Sequence, residues 1–243
     1  MKRTLIILFL SVSVFRVSAD TQPCPAGIKK IEDCPERGCG DHEFDGELNT
    51  QKNIRSDDQQ QPTLRSIRWI KGLPDPMNFV EHGSRDELKQ LGEGQKITVL
   101  AWALTARRGS SETCNCQLGG VADTDNHIVL VDPGVKNPTM AKNECCSVTA
   151  EFTPRTRLDH PSFTRLKLNR LIDPNWKTSQ ANPSGKLLVR VTGLLLFDSQ
   201  HFLHIPLKRD SNWEIHPILK IEYCPKEETC RADSDANWRN LEE

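Results

Sequence analysis

The sequence has 243 residues, with 32 Lys and Arg against 33 Asp and Glu, and 36% of its residues are hydrophobic. This length and composition fit one globular domain with a substantial extension. The formal net charge of −1 gives no positive field of the kind that supplies non-specific affinity for nucleic acids. Composition therefore excludes a histone-like binder and gives no strong nucleic-acid signal.

The first 19 residues predict a secretory signal peptide. Lys2 and Arg3 form a basic start, an apolar run follows over 5–15, and small residues at 17–19 precede a cut before Asp20. The apolar run is too short to span a bilayer, and no other stretch approaches the needed length. The sequence predicts a secreted or periplasmic protein with no membrane span after removal of the signal.

Nine cysteines follow the signal, and in an oxidising compartment they predict disulfides. They cluster at the start (Cys24, Cys34, Cys39), in the middle (Cys114, Cys116, Cys145, Cys146) and near the end (Cys224, Cys230). We expect three local bonds, a cross-link between the two middle clusters (114/116 and 145/146) and one unpaired thiol. Zinc held by thiolates is disfavoured, because the middle spacings are not the C-x₂-C pairs of a zinc ribbon.

Residues 20–94 predict an irregular N-terminal extension, since they are rich in Pro, Gly, Gln and charge and rarely alternate as a strand requires. One short helix is expected there, beginning at a capping box over 84–87 and ending at Leu91 before Gly92. Residues 225–243 predict a polar C-terminal tail.

Residues 95–224 contain five segments with the pattern of β-strands and one with helical spacing. The strands are predicted at 97–104, 127–132, 148–153, 187–197 and 213–223, and the helix at 160–172 with Ser162 as its N-cap. The first strand is apolar on both parities. In the last strand, alternation predicts a core face with Ile215 and Leu219, a polar face with Glu214 and His216, and an edge or bulge at Pro217.

This order of elements resembles the OB-fold, a mainly β, five-stranded Greek-key barrel with one helix between strands three and four. The resemblance covers about residues 95–224. More narrowly, the segments CNC (114–116), FTPR (152–155), VRVTG (189–193) and WEIHP (213–217) resemble a family of exported, uncharacterised bacterial proteins. That resemblance implies export and a barrel, and it implies no activity.

In an OB-like barrel, the loops after strands one and four flank the ligand face, so residues 107–124 and 198–212 are expected to meet. We expect a binding module for an oligosaccharide, a nucleotide or a protein, which needs no cofactor. Its predicted binding residues are Arg107, Trp102, Asp198, Lys208 and Arg155, with Trp102 or Trp213 as an apolar platform.

Two further functions compete with this one, so the sequence leaves open whether the protein is an enzyme. A metal-dependent hydrolase of phosphodiester or ester bonds would hold a divalent metal, and the predicted ligands are His127, His201, His216, Asp198 and Glu214. A scaffold protein would use the cysteine-rich extension to contact another protein. The simplest interpretation is structural: Asp198 and His201 close a turn, and Glu214 pairs with Arg190 across neighbouring strands.

Overall fold

A computed structural model describes residues 21–41, 44–56, 59–77, 79, 82–201 and 208–243, so the predicted signal peptide lies outside the described residues. The strands are β1 (Thr63–Arg65), β2 (Lys96–Arg108), β3 (Asn126–Val131), β4 (Val148–Phe152), β5 (Leu187–Phe197), β6 (Trp213–Tyr223) and β7 (Arg239–Asn240). The helices are α1 (Gly46–Lys52), α2 (Ile67–Lys71), α3 (Asp86–Leu91), α4 (Met140–Asn143), α5 (Pro154–Asp159) and α6 (Arg165–Ile172). None of the helices in these described ranges is long and apolar enough to cross a bilayer.

Strands β2 to β6 close into a five-stranded barrel. β2 pairs antiparallel with both β3 and β5, and β3 pairs antiparallel with β4. β6 closes the barrel, because it pairs parallel with β4 and antiparallel with β5. This is the strand order of the OB-fold, so the predicted fold class is confirmed. The chain between β4 and β5 forms two short helices, α5 and α6, where the spacing predicted one, and Thr164 rather than Ser162 caps α6.

The longest strand, β2, is buried on both faces, as its apolar residues on both parities predict. Ile97, Val99 and Ala101 point into the barrel core. Trp102 and Leu104 belong to a second apolar cluster, which part-buried residues of the β3–β4 connection and the C-terminal segment cover. Trp102 therefore packs on the outside of the barrel wall.

The alternation in β6 changes phase in the middle of the strand. The β5–β6 pairing shifts register on both sides of Gly193, where an added Cβ would lie 2.4 Å from the carbonyl oxygen of Pro217. Ile215 and then Ile218 enter the core, and Leu219 stays partly exposed. Strict alternation across Pro217 was wrong, because the bulge inserts an unpaired residue.

The N-terminal extension is more ordered than its composition predicts. β1 adds in parallel to the edge of β2, and Ile67, Ile70 and Leu88 are fully buried in the barrel core. Helices of five and seven residues carry too few turns for a periodic signal, and side-chain caps and packing hold them instead. The expected helix is present as α3, ended by Gly92 at φ +118°, although Ser84 bonds only the backbone N–H of Asp86 and no capping box forms.

Three disulfides lie within the described residues: Cys24–Cys39, Cys34–Cys116 and Cys224–Cys230. Two of the three expected local bonds are present, one near each end of the described chain. The cross-link joins the extension to the first middle cluster instead of joining the two middle clusters. Its loop of 82 residues contributes about 4–5 kcal/mol in the chain-entropy model. Three thiols rather than one are free: Cys114, Cys145 and Cys146.

A buried ion pair fastens the extension to the end of β5. The guanidinium of Arg85 donates to Glu93 Oε2 at 2.8 Å, to Ser199 Oγ at 3.0 Å and to the carbonyl oxygen of Phe197 at 2.8 Å. Glu93 also accepts from the backbone N–H of Phe197 at 3.0 Å. Both charges have several partners, and the network fixes the start of the β5–β6 loop.

Candidate functional site

A cleft of about 290 Å³ lies at one end of the barrel, between the β2–β3 loop and the described ends of the β5–β6 loop. The structure thus brings together the two segments that the OB order predicts to meet. The lining residues are Lys52, Arg107, Glu112, His127, Val129, Glu144, Ser147, Thr149, Glu151, Asp198, His201, Lys208 and Arg209. The extension also contributes to this cleft, since Lys52 ends α1.

Ion pairs hold two walls of the cleft. Lys52 Nζ lies 2.7 Å from Glu112 Oε2, and both side chains are largely buried. Burial raises the pKa of Glu112, but the charge of Lys52 outweighs it and lowers that pKa to about 2. On another wall, Arg107 forms an ion pair with Glu144 and donates to Asn182 Oδ1 at 3.1 Å. These four charges have fixed positions.

The β5–β6 loop contributes a second buried network, built around Asp198. His201 Nδ1 donates to Asp198 Oδ2 at 2.7 Å, and Arg209 bridges Asp198 to Glu214 Oε2, the latter at 2.7 Å. Burial alone would raise the pKa of Asp198, but the His201 hydrogen bond and the Arg209 charge hold it well below its usual range. The same hydrogen bond raises the pKa of His201. The expected turn between Asp198 and His201 is present.

Three neighbouring strands place polar side chains on the cleft floor. His127 on β3 lies directly opposite Glu151 on β4, and Ala150 pairs with Ile215 of β6, so Glu151 and His216 are neighbours. Asp125 precedes β3 and shares the face of His127, as i and i+2 side chains do in a strand. Asp125, Glu151 and His216 are each at most 5% exposed at the side chain.

Several atoms of this floor lack hydrogen bonds. His216 Nδ1 bonds Glu214 Oε1 at 3.1 Å. Glu151 Oε2 lies 3.2 Å from His216 Nδ1 and 3.4 Å from His127 Nε2, and neither contact has hydrogen-bond geometry. Asp125 Oδ2, 3.9 Å from His216 Nε2, is also without a partner among the residues that the structure describes, as are both Nε2 atoms. Four buried polar atoms are therefore unsatisfied in one small volume.

Burial shifts the floor groups toward their neutral forms. Burial, together with the charges of Glu214 and Asp125, raises the pKa of Glu151 well above its usual value. Burial and the nearby Glu112 raise the pKa of Asp125. Burial lowers the pKa of His127. The floor is an acidic cluster, and the nearby cations of the described residues, Lys52 and Arg209, are paired with other carboxylates.

The predicted site residues divide into two groups. Those that reach the cleft or its floor are Arg107, Asp198, Lys208, His127, His201, His216 and Glu214, whereas Trp102 and Arg155 lie elsewhere. Trp102 belongs to the outer apolar cluster, with its Nε1 donating to the carbonyl of Pro133. Arg155 donates to the carbonyl oxygens of Cys34 and Pro35, 2.7 Å away in both cases, so it anchors the extension.

The predicted metal set is only partly brought together. His127 and His216 meet at the floor, but Asp198 and His201 bind each other and Arg209 on the wall. Glu214 is not paired with Arg190 as expected. Arg190 faces Glu222 across β5–β6 and bonds it at 2.8 Å. The loop residue His204 lies outside the described residues.

The sequence did not predict several of the lining residues of the cleft, and two of these, Glu151 and Lys52, bear on its chemistry. Glu151 sits in the alternating β4 segment, where a polar residue at this parity is typical of a solvent face. Glu151 could have been predicted only from its position opposite His127, and that position is known only once the β3–β4 register is known. Nothing in the sequence pointed to Lys52, because α1 is too short to be predicted from periodicity. The position of α1 against the barrel depends on tertiary packing.

By its strand order this protein is an OB-like β-barrel, and a polar cleft lies at the mouth of the barrel between two loops. No family model, curated protein sequence or solved structure matches the chain.

Proposed function

We propose that this protein is an exported ligand-binding module that holds a small anionic ligand in the cleft at the barrel mouth. The observation that carries the proposal is the cleft itself, whose walls are fixed by the Lys52–Glu112 and Arg107–Glu144 ion pairs before any ligand binds. Side chains held in place lose less conformational entropy on binding. Export is proposed from the signal-like start, and the three disulfides support it.

The size and lining of the cleft narrow the ligand. A volume of about 290 Å³ lies at the small end of ligand pockets and cannot enclose an oligosaccharide. Among the described residues that line it, none is a Phe, Tyr or Trp on which a sugar or base could stack. Lys208 is exposed at the rim, and the hydrogen bond to Asp198 favours the protonated form of His201. These features favour a phosphate or carboxylate group, such as the phosphate end of a nucleotide.

The first test is titration calorimetry of the mature protein with nucleoside monophosphates, inorganic phosphate and neutral mono- and oligosaccharides. An anionic compound should bind, and Lys208→Glu should weaken its binding about tenfold by reversing a charge at the rim. Lys89→Glu, on exposed α3, is the matched control and should leave affinity unchanged. Binding of neutral sugars alone, with no effect of Lys208→Glu, contradicts the proposal.

Hydrolysis of phosphodiester or ester bonds is the second candidate, favoured by the unsatisfied acidic floor beneath an open cleft. Activated water in such a site requires a metal or a carboxylate base. The test is turnover of chromogenic phosphodiester and ester substrates with added divalent metals. Activity that is lost in Glu151→Gln but kept in Glu242→Gln, whose side chain pairs with His160 outside the cleft, supports hydrolysis, and no turnover with any metal rejects it.

A further inference from the structure

The floor of the cleft contains three overlapping groups of metal-ligand atoms. They are Glu112, His127 and Glu151; Asp125, Glu151 and His216; and Glu112, Cys114 and Asp125. Within each group the ligand atoms lie within 4.8 Å of one another. Each group shares a carboxylate with the others, so the three define one continuous cluster, in which each histidine belongs to a different group.

We infer that this cluster is a binding site for a divalent transition-metal ion, held first by the fully buried group Asp125, Glu151 and His216, with His127, 3.4 Å from Glu151 Oε2, as a fourth ligand once its side chain turns toward the ion. The set retains two of the histidines predicted from the sequence and replaces His201, Asp198 and Glu214 with two carboxylates from β4 and the start of β3. The inference does not rest on the proposed anionic ligand, because it concerns atoms below the cleft walls.

The first argument comes from buried polar atoms that lack hydrogen-bond partners. Asp125 Oδ2, Glu151 Oε2 and the Nε2 atoms of both histidines are buried and have no hydrogen-bond partner in the described parts of the chain. Buried polar atoms are nearly always paired, because leaving one unpaired is costly. One cation placed among these atoms would satisfy carboxylate oxygens and imidazole nitrogens together, which no single hydrogen-bond donor does.

The second argument is charge. The nearest cations are already engaged: Lys52 is paired with Glu112, and Arg209 with Asp198 and Glu214. The basic groups that the described residues place within 4 Å of Asp125 and Glu151 are the imidazoles of His127 and His216 themselves. The alternative, in which protons neutralise the carboxylates, leaves both Nε2 atoms without partners and is one outcome of the test below.

The chemistry of the ligands favours particular metals. Two imidazoles with two carboxylates suit Zn²⁺, Mn²⁺ or Fe²⁺, whereas Ca²⁺ and Mg²⁺ prefer oxygen ligands alone. A free thiol lies nearby, because Cys114 Sγ is 3.4 Å from Glu112 Oε2, and it belongs to the one group without a histidine. We assign the site to nitrogen and oxygen ligands because the fully buried group that contains a histidine has no thiol, and cobalt substitution distinguishes this set from one that includes sulfur.

The experiment uses the full mature chain, treated with a chelator and then titrated with Zn²⁺ and Mn²⁺ by calorimetry, with metal content checked by elemental analysis. One metal per chain is expected. Glu151→Gln and His216→Ala should each weaken binding by about 100-fold or more, by removing a ligand. The controls His160→Ala and Glu242→Gln, which change an ion pair outside the cleft, should bind as the original chain does.

The other outcomes of this experiment also support or overturn the metal site. If His216→Ala does not fold, His127→Gln provides the same readout, because His127 is partly exposed and its Nε2 makes no hydrogen bond. Binding of Co²⁺ without a thiolate-to-metal charge-transfer band is expected, and a strong band would replace this ligand set with one containing Cys114. Absence of stoichiometric metal, or equal affinity in Glu151→Gln, overturns the inference and leaves the protonated cluster. Because the titration contains no organic ligand, its failure is separate from failure of the ligand panel.

Discussion

Two clusters of buried charge lie near the two ends of the β5–β6 loop, and they are satisfied to very different degrees. In the Arg85–Glu93 network, the guanidinium and the carboxylate bond each other as well as Ser199 and the backbone of Phe197. On the cleft floor, four buried atoms have no partner among the described residues. A cluster with complete hydrogen bonding stabilises the fold, whereas one left incomplete is what a ligand site needs before its ligand arrives.

The largest expected effect is on the satisfied cluster. Glu93→Ala leaves the guanidinium of Arg85 buried without its carboxylate and should lower the free energy of unfolding by about 3–5 kcal/mol. Urea unfolding followed by circular dichroism measures this change. Asp86→Ala, which removes an exposed partner of Lys89, is the control and should be nearly neutral. A loss below about 1 kcal/mol in Glu93→Ala would remove the contrast between the two clusters.

An intermediate effect is expected at Asp198, which belongs to the cleft wall but is fully paired. Asp198→Asn weakens charge-assisted hydrogen bonds with His201 and Arg209 and should cost about 2 kcal/mol at pH 7. Because the folded-state pKa of Asp198 is lowered, its contribution is present above the unfolded pKa, near 4, and is lost as pH falls toward the folded value.

Unfolding measured from pH 7 to pH 3 should therefore show the stability difference between Asp198→Asn and the original chain shrinking below about pH 4. Asp75→Asn, at an exposed position, is the control and should show no such trend. A difference that stays constant across this pH range would mean that Asp198 acts through packing alone.

The smallest effect is expected on the cleft floor. Glu151→Gln keeps the side-chain shape, removes a carboxylate from an acidic cluster and breaks no hydrogen bond at Oε2. In metal-free protein the free energy of unfolding should change by less than about 1 kcal/mol, in either direction. Unfolding in the presence of a chelator tests this. A loss as large as that of Glu93→Ala would show that Glu151 is a structural residue.

The barrel was predictable because each of its strands carries its own signal. The segments at 187–197 and 213–223 were located to the residue, and their order along the chain sufficed for the OB topology. The small helices of the extension were not predictable, since α2 has five residues and depends on burial of Ile67 and Ile70 in a core built by later strands. Tertiary packing decides such elements.

The sequence predicted where the candidate site lies on the barrel, but it did not predict the full set of residues that form the site. The meeting of the two loops followed from topology, and the shared face of Asp125 and His127 followed from strand geometry. Trp102 was misplaced because a strand that is apolar on both faces does not reveal which face lines a cleft. Glu151 and His216 meet through the parallel β4–β6 pairing, a contact between segments over 60 residues apart that local pattern does not encode.

The cleft at the barrel mouth depends on Lys52, a residue of the N-terminal extension, and the strand order alone does not reveal this. Its ammonium reaches Glu112 in one loop and lies 3.4 Å from Gln200 Oε1 in the other, yet it belongs to the segment before the barrel. A shortened chain that began at β2 would keep every barrel strand and still lack the cation that joins the two loops. Anyone who trims this protein for crystallisation, or transplants its loops onto another scaffold, therefore has to carry α1 along.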